Sequence, residues 1–203
     1  MNQIAQRQRF LNGGHIFWTV LALPAIPMIL VLLGFMNGPT REDLLHPSGE
    51  FAARFMIIAM MLTPLRMLFP QTKWLAWLAA HRRALGVAAF GYALIHTLLY
   101  LISMETLTAI LAEFWALGIW TGWAAFIIFI PLAVTSNDRS VQRMKRAWKS
   151  LHRWVYPAAV LTLVHWIFVH NNLVPALVHF VPLAALELYR IASARKANNV
   201  TAS

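Results

Sequence analysis

The 203-residue sequence has no cysteine. That excludes disulfides, iron–sulfur clusters, thiolate ligation of iron and cysteine-based zinc sites. Any metal must be held by His, Met, Tyr or a carboxylate. Charge is also scarce. Asp, Glu, Lys and Arg make up 12% of the chain, against about 25% in soluble domains. Acids are the rarest of these, seven against seventeen basic residues. None lies deep in an apolar run, Glu187 being near the inner end of one, which argues against an ion-coupled transporter. No G-x-G-x-x-G precedes a helix, so no nicotinamide-binding unit is predicted. H-E-x-x-H and G-x-S-x-G are absent too.

What is present is apolar. Hydrophobic residues make up 60%, with nine Trp and twelve Phe. This composition describes an integral membrane protein rather than a soluble globule. The net charge of +10 would suggest nucleic acid in a soluble protein. Here basic cytoplasmic loops account for it, and no basic domain stands outside the apolar segments.

A spanning helix needs about 20 mainly apolar residues. Six are predicted, at roughly 15–36, 51–69, 84–104, 114–134, 151–170 and 173–189. The first follows Arg7 and Arg9 but is too long for a signal core, and no A-x-A site follows it. It is read as a retained helix. The domain plan is an arm over 1–14, a six-helix domain over 15–190 and a polar tail over 191–203.

Loop charges orient the bundle. With the amino terminus cytoplasmic, every Lys and Arg except Arg41 and Arg54 falls on the inner side or its edge. Glu42, Asp43, Glu50, Glu105 and Glu113 fall outside. The positive-inside rule predicts this asymmetry. Both termini are therefore placed in the cytoplasm.

Histidine is costly in a bilayer and usually faces the bundle interior with a partner. His96 lies thirteen residues beyond Arg83, at the inner mouth of the third span. His165 lies thirteen residues beyond His152, at the inner mouth of the fifth. Thirteen residues rise roughly 20 Å. The two spans run the same way, so His96 and His165 reach one depth in the outer half of the membrane. Paired imidazoles at one depth are what bis-histidine ligation of a haem iron requires. His152 marks a second, inner depth, opposite Arg82 and Arg83. That basic pair suits haem propionates or a flavin phosphate; it is equally an ordinary positive-inside pair.

On a straight helix, His152 and His165 point roughly 140° apart. Either Pro157 kinks the helix between them, or they face different neighbours. Gly86, Ala88, Ala89, Gly91 and Ala93 leave room for a flat macrocycle, or simply let helices approach. His15, His46 and His170 flank spans, and His179 is a weaker ligand candidate. The Met-rich run 56–61 reads as packing.

Three stretches carry a family resemblance: "HPSGEFAARFMIIAMMLTPLR" (46–66), "HRRALGVAAFGYALIHTLLYL" (81–101) and "TSNDRSVQRMKRAWKSLHRWVYPAAVLTLVHW" (135–166). Over about residues 15–190 the chain resembles the MsrQ (YedZ) family, the haem-binding membrane subunits of bacterial periplasmic methionine sulfoxide reductase systems (MsrPQ), within the ferric-reductase-like transmembrane superfamily. The resemblance implies haem b, one or two, and FMN. It implies the bacterial inner membrane and electron delivery to a periplasmic molybdopterin enzyme that repairs oxidised methionine. It puts metal ligation on His96, His152 and His165. Superfamily members carry two histidines in each of two helices; here the inner position of the third span reads Arg82-Arg83. Superfamily reductases also append flavin and nicotinamide domains. With 203 residues, a separate cytosolic flavin reductase or the quinone pool is expected as donor.

The sequence thus reads as an all-α membrane bundle of six helices working as a cytochrome b-type electron conduit, an electron-transfer subunit rather than a catalytic one. The alternatives are a stand-alone ferric or cupric reductase domain and a cofactor-free transporter or assembly factor.

Overall fold

A computed structural model describes residues 14–36, 39–170 and 172–201. Arg7, Arg9 and nearly all of the predicted arm lie outside the described residues. The described chain is all-helical, with no strand. Its elements are α1 (Gly14–Ala22), α2 (Ala25–Leu32), α3 (Arg41–Leu68), α4 (Lys73–Ala80), α5 (Arg82–Ser103), α6 (Leu107–Glu113), α7 (Leu117–Val134), α8 (Asp138–Met144), α9 (Arg146–His152), α10 (Val155–His170) and α11 (Leu173–Thr201).

Among the described residues, α3, α5, α7 and α11 are each long and apolar enough to cross a membrane. The pair α1–α2, bent by 48°, makes a fifth candidate if it counts as one span. The bend falls at Leu23–Pro24, where proline ends one helix and starts the next. α10 has 16 residues, a little short of a full span. Ile127, Val134, Val160, Val178 and Leu188 stand exposed, as a lipid-facing surface requires. This is a multi-pass membrane protein.

Several boundaries differ from the sequence reading. α3 begins at Arg41, ten residues before the predicted span. Thr40 starts it with a capping box: its side chain accepts the Asp43 N–H, and the Asp43 carboxylate accepts the Thr40 N–H. That reciprocal pair fixes the first turn, and the helix then runs through Pro47 and Gly49. Glu50 therefore sits on a helix wall, not in an outer loop.

The fifth segment is two helices. The chain turns at Arg153–Trp154, between α9 and α10. Pro157 is the third residue of α10, where its missing N–H leaves no bond unmade. It starts the helix rather than kinking it. α11 continues through the polar tail to Thr201, since Ala, Arg and Lys there are good helix formers.

Two helix pairs organise the bundle. α3 packs along α5, and α10 along α7; the pairs meet through α5–α7 and α3–α10 contacts. Met56, Ala89, Tyr92, Phe129 and Ala158 are buried where they join. At the α4 end of the bundle, Leu62, Leu75 and Leu85 close a second core. Tyr92 donates to the Leu21 carbonyl at 2.9 Å, tying α1 to α5.

Candidate functional site

Between the two pairs lies a cavity of about 1040 Å³ including its open mouth, walled mostly by apolar side chains. His96 from α5 and His165 from α10 face each other across it, ring centres 5.9 Å apart and planes at 84°. The common depth expected from the sequence brings these two rings together.

Each ring is seated the same way. Nδ1 of His96 donates to the Leu45 carbonyl at 2.9 Å, and Nδ1 of His165 donates to the Gly118 carbonyl at 2.7 Å. A carbonyl only accepts, so Nδ1 carries the proton and Nε2 keeps a free lone pair. Four residues after each accepting carbonyl stands a glycine, Gly49 or Gly122. A Cβ on Gly49 would lie 3.0 Å from the His96 ring, and one on Gly122 only 2.5 Å from the His165 ring. Just before each glycine is a buried hydroxyl. Ser48 bonds the Leu45 carbonyl at 2.8 Å, and Thr121 bonds the Gly118 carbonyl at 3.0 Å. So α3 and α7 present matching hydroxyl–glycine seats, one per imidazole.

This arrangement suits a metal held between the rings. Ligating histidines usually donate the other ring N–H to a carbonyl or carboxylate, which fixes tautomer and orientation. Ring centres 5.9 Å apart leave room for a metal between the two imidazoles. Two candidate ligands, apolar walls and the small side chains of Ala53, Ala93 and Ala125 would suit a haem. Among the described residues there is no group of three or more His, Asp and Glu for a bare ion.

The other histidines are placed differently. His179 accepts from Arg54 Nε at 3.3 Å, and its Nδ1 donates to the Pro175 carbonyl at 2.7 Å. Both its nitrogens are engaged, and it lies over Trp166 rather than in the cavity. His46 and His170 both line the cavity, ring centres 4.6 Å apart. His81 sits against Phe17 and Trp77, between α4 and α5.

His152 lies in α9, before the turn into α10. It stacks on Trp148, and its Nε2 is 3.0 Å from Thr135 Oγ1. Thr135 spends its own proton on the Pro131 carbonyl, so Nε2–H of His152 is the donor. Burial, then the charges of Arg83 and Arg82, hold its imidazole below the usual histidine range. No second histidine faces it among the described residues. These residues do not fit a bis-histidine inner site as they stand. Arg82, Arg83 and Arg66 instead line a separate polar cleft, where Arg83 pairs with Asp138.

The sequence reading missed the seats. Their only signal is a hydroxyl–glycine dipeptide, Ser48-Gly49 or Thr121-Gly122, inside an apolar helix.

The chain matches the family described as "Ferric reductase like transmembrane component" over residues 48–163, which include His96 and His152 and stop two short of His165. It is 36% identical to the "Protein-methionine-sulfoxide reductase heme-binding subunit MsrQ" of Rhizobium meliloti (strain 1021), over 82% of this chain and 77% of that one. It is 34% identical to the protein of the same name from Xanthomonas euvesicatoria pv. vesicatoria, over 77% of this chain and 72% of that one. For the one from Brucella anthropi the figures are 31%, 81% and 76%. No solved structure matches the chain. The chain therefore belongs to the ferric-reductase-like transmembrane family, in its MsrQ branch.

Proposed function

We propose that the protein is a cytochrome b-type electron-transfer subunit of the bacterial inner membrane. One observation carries this: two facing imidazoles, each with Nδ1 bonded to a carbonyl and Nε2 free, across an apolar cavity. The heme-binding names of its relatives support it. His96 and His165 are the residues that would hold the haem iron. A haem held there would supply one-electron chemistry. The protein fixes the two ring orientations, lowers the local dielectric and limits water.

The chain crosses the membrane six times, with both termini cytoplasmic and one domain over 15–190. Electrons enter from a cytosolic flavin reductase or the quinone pool and leave to a periplasmic molybdopterin methionine sulfoxide reductase. FMN belongs on the cytoplasmic side near His152, Arg82 and Arg83. With its Nε2–H given to Thr135, His152 keeps its lone pair on Nδ1, the atom that would ligate an inner haem there.

The test is a reduced-minus-oxidised spectrum of the purified protein. A reducible b-type haem is expected, lost in His96→Ala and in His165→Ala. Colourless protein, or full haem in both variants, overturns the reading. Reduction of soluble ferric chelates without any protein acceptor favours the ferric reductase alternative, which the family match also supports.

A further inference from the structure

Two polar hydrogens in the cavity wall have nothing to bond. Tyr100 Oη and Trp166 Nε1 are buried side-chain atoms without a hydrogen-bond partner among the described residues. Both residues line the cavity that holds His96 and His165. Trp166 is only 4% exposed. An unmet buried donor costs about 1–3 kcal/mol, so native proteins seldom leave one without a reason. Two on one cavity wall point to an acceptor inside it.

Their position says which kind. Tyr100 is one helical turn beyond His96 on α5, about 6 Å toward that helix's C-terminal end. Trp166 follows His165 toward the C-terminal end of α10. His46 and His170 lie toward this same end of the lining. The opposite end is lined by Ala53, Ala93, Phe126 and Phe129. The cavity is thus amphiphilic, with donors at one end and hydrocarbon at the other. Glu50, the acid in the cavity lining, is neutralised by Arg54 at 2.6 Å. The Glu113 carboxylate acts on Tyr100 from outside that lining.

We propose that Tyr100 Oη and Trp166 Nε1 form a carboxylate-binding site that orients the ligated macrocycle, its propionate edge toward the α10 C-terminal end of the cavity. The inference rests on the haem reading above and extends it to residues that touch no iron. Donation to a charged acceptor is about twice as strong as to a neutral one. Each lost donor should then weaken retention roughly ten-fold.

The test measures haem transfer from the full-length protein to apomyoglobin. Wild type, Tyr100→Phe and Trp166→Phe are each loaded with iron protoporphyrin IX or with its dimethyl ester. Tyr100→Phe deletes only one oxygen, and the ester removes the carboxylates while keeping the ring. With the free acid, transfer should quicken roughly ten-fold in each variant. With the ester, variants and wild type should match, apart from any packing change at Trp166 that both pigments report equally. Wild-type retention of the free acid in both variants overturns the proposal and leaves water as the acceptor. An equal loss with acid and ester overturns it too, as a packing effect. A wild-type protein that binds neither pigment overturns the haem reading itself.

Discussion

The Cβ that Gly122 lacks would stand 2.5 Å from Nδ1 of His165, closer than real Cβ contacts come. α7 thus reserves space for the imidazole. Gly122→Ala must push the ring off the Gly118 carbonyl. We expect most haem to be lost, with a folding cost of about 1–3 kcal/mol from overpacking. Gly49→Ala, where the contact would be 3.0 Å, should be milder in both respects. Gly86→Ala and Gly91→Ala meet nothing within 4 Å and should be neutral or stabilising by up to about 1 kcal/mol. Haem-to-protein ratios and thermal unfolding in detergent check the series. Equal haem content in all four variants would show that the glycines do not seat the imidazoles.

His179→Ala should keep the haem spectrum of the parent. Its nitrogens serve Arg54 and Pro175, not the cavity. The loss belongs to stability, about 1–3 kcal/mol for a part-buried Arg54 left with one partner fewer. Absorption spectra and urea titration separate the two effects. A spectrum changed as in His165→Ala would make His179 a ligand.

His152→Ala should leave the haem of the His96–His165 pair in place, because α9 contributes nothing to that cavity. Thr135→Val should cost about 1 kcal/mol and free the His152 Nε2. Pigment content of both variants is the measurement. Complete haem loss in His152→Ala would contradict the separation of the two sites.

The absence of cysteine makes topology simple to read. A membrane-impermeant maleimide should label Glu113→Cys in intact spheroplasts. Lys196→Cys should label only after permeabilisation. Three proposed spans, α7, α10 and α11, separate these exposed positions. Labelling of both from one side would rule out the six-span arrangement.

The His96–His165 pair was legible because helical rise converts sequence spacing into depth, and two spans running the same way share that scale. The seat under His96 was not. Its residues, His46-Pro47-Ser48-Gly49, look like a turn, and only the Thr40–Asp43 capping box reveals that the helix has already begun. The angle between His152 and His165 assumed one continuous helix. A two-residue turn at Arg153–Trp154, unmarked by glycine or proline of its own, removed that assumption. Tyr100 and Trp166 passed as ordinary membrane aromatics. An unmet donor is visible only when every neighbour is known.

The cavity follows the seam between α3–α5 and α7–α10, and each histidine bonds within its own pair. A group held by both His96 and His165 would act as a clasp between halves already complete in themselves. Ligand affinity and cohesion of the bundle then become one free energy, and excess ligand adds RT ln(1 + [L]/Kd) to folding stability. The pigment-free chain should loosen along this seam first, with hydrogen exchange rising in α5 and α10 where they face each other. Within each pair the helices would stay protected.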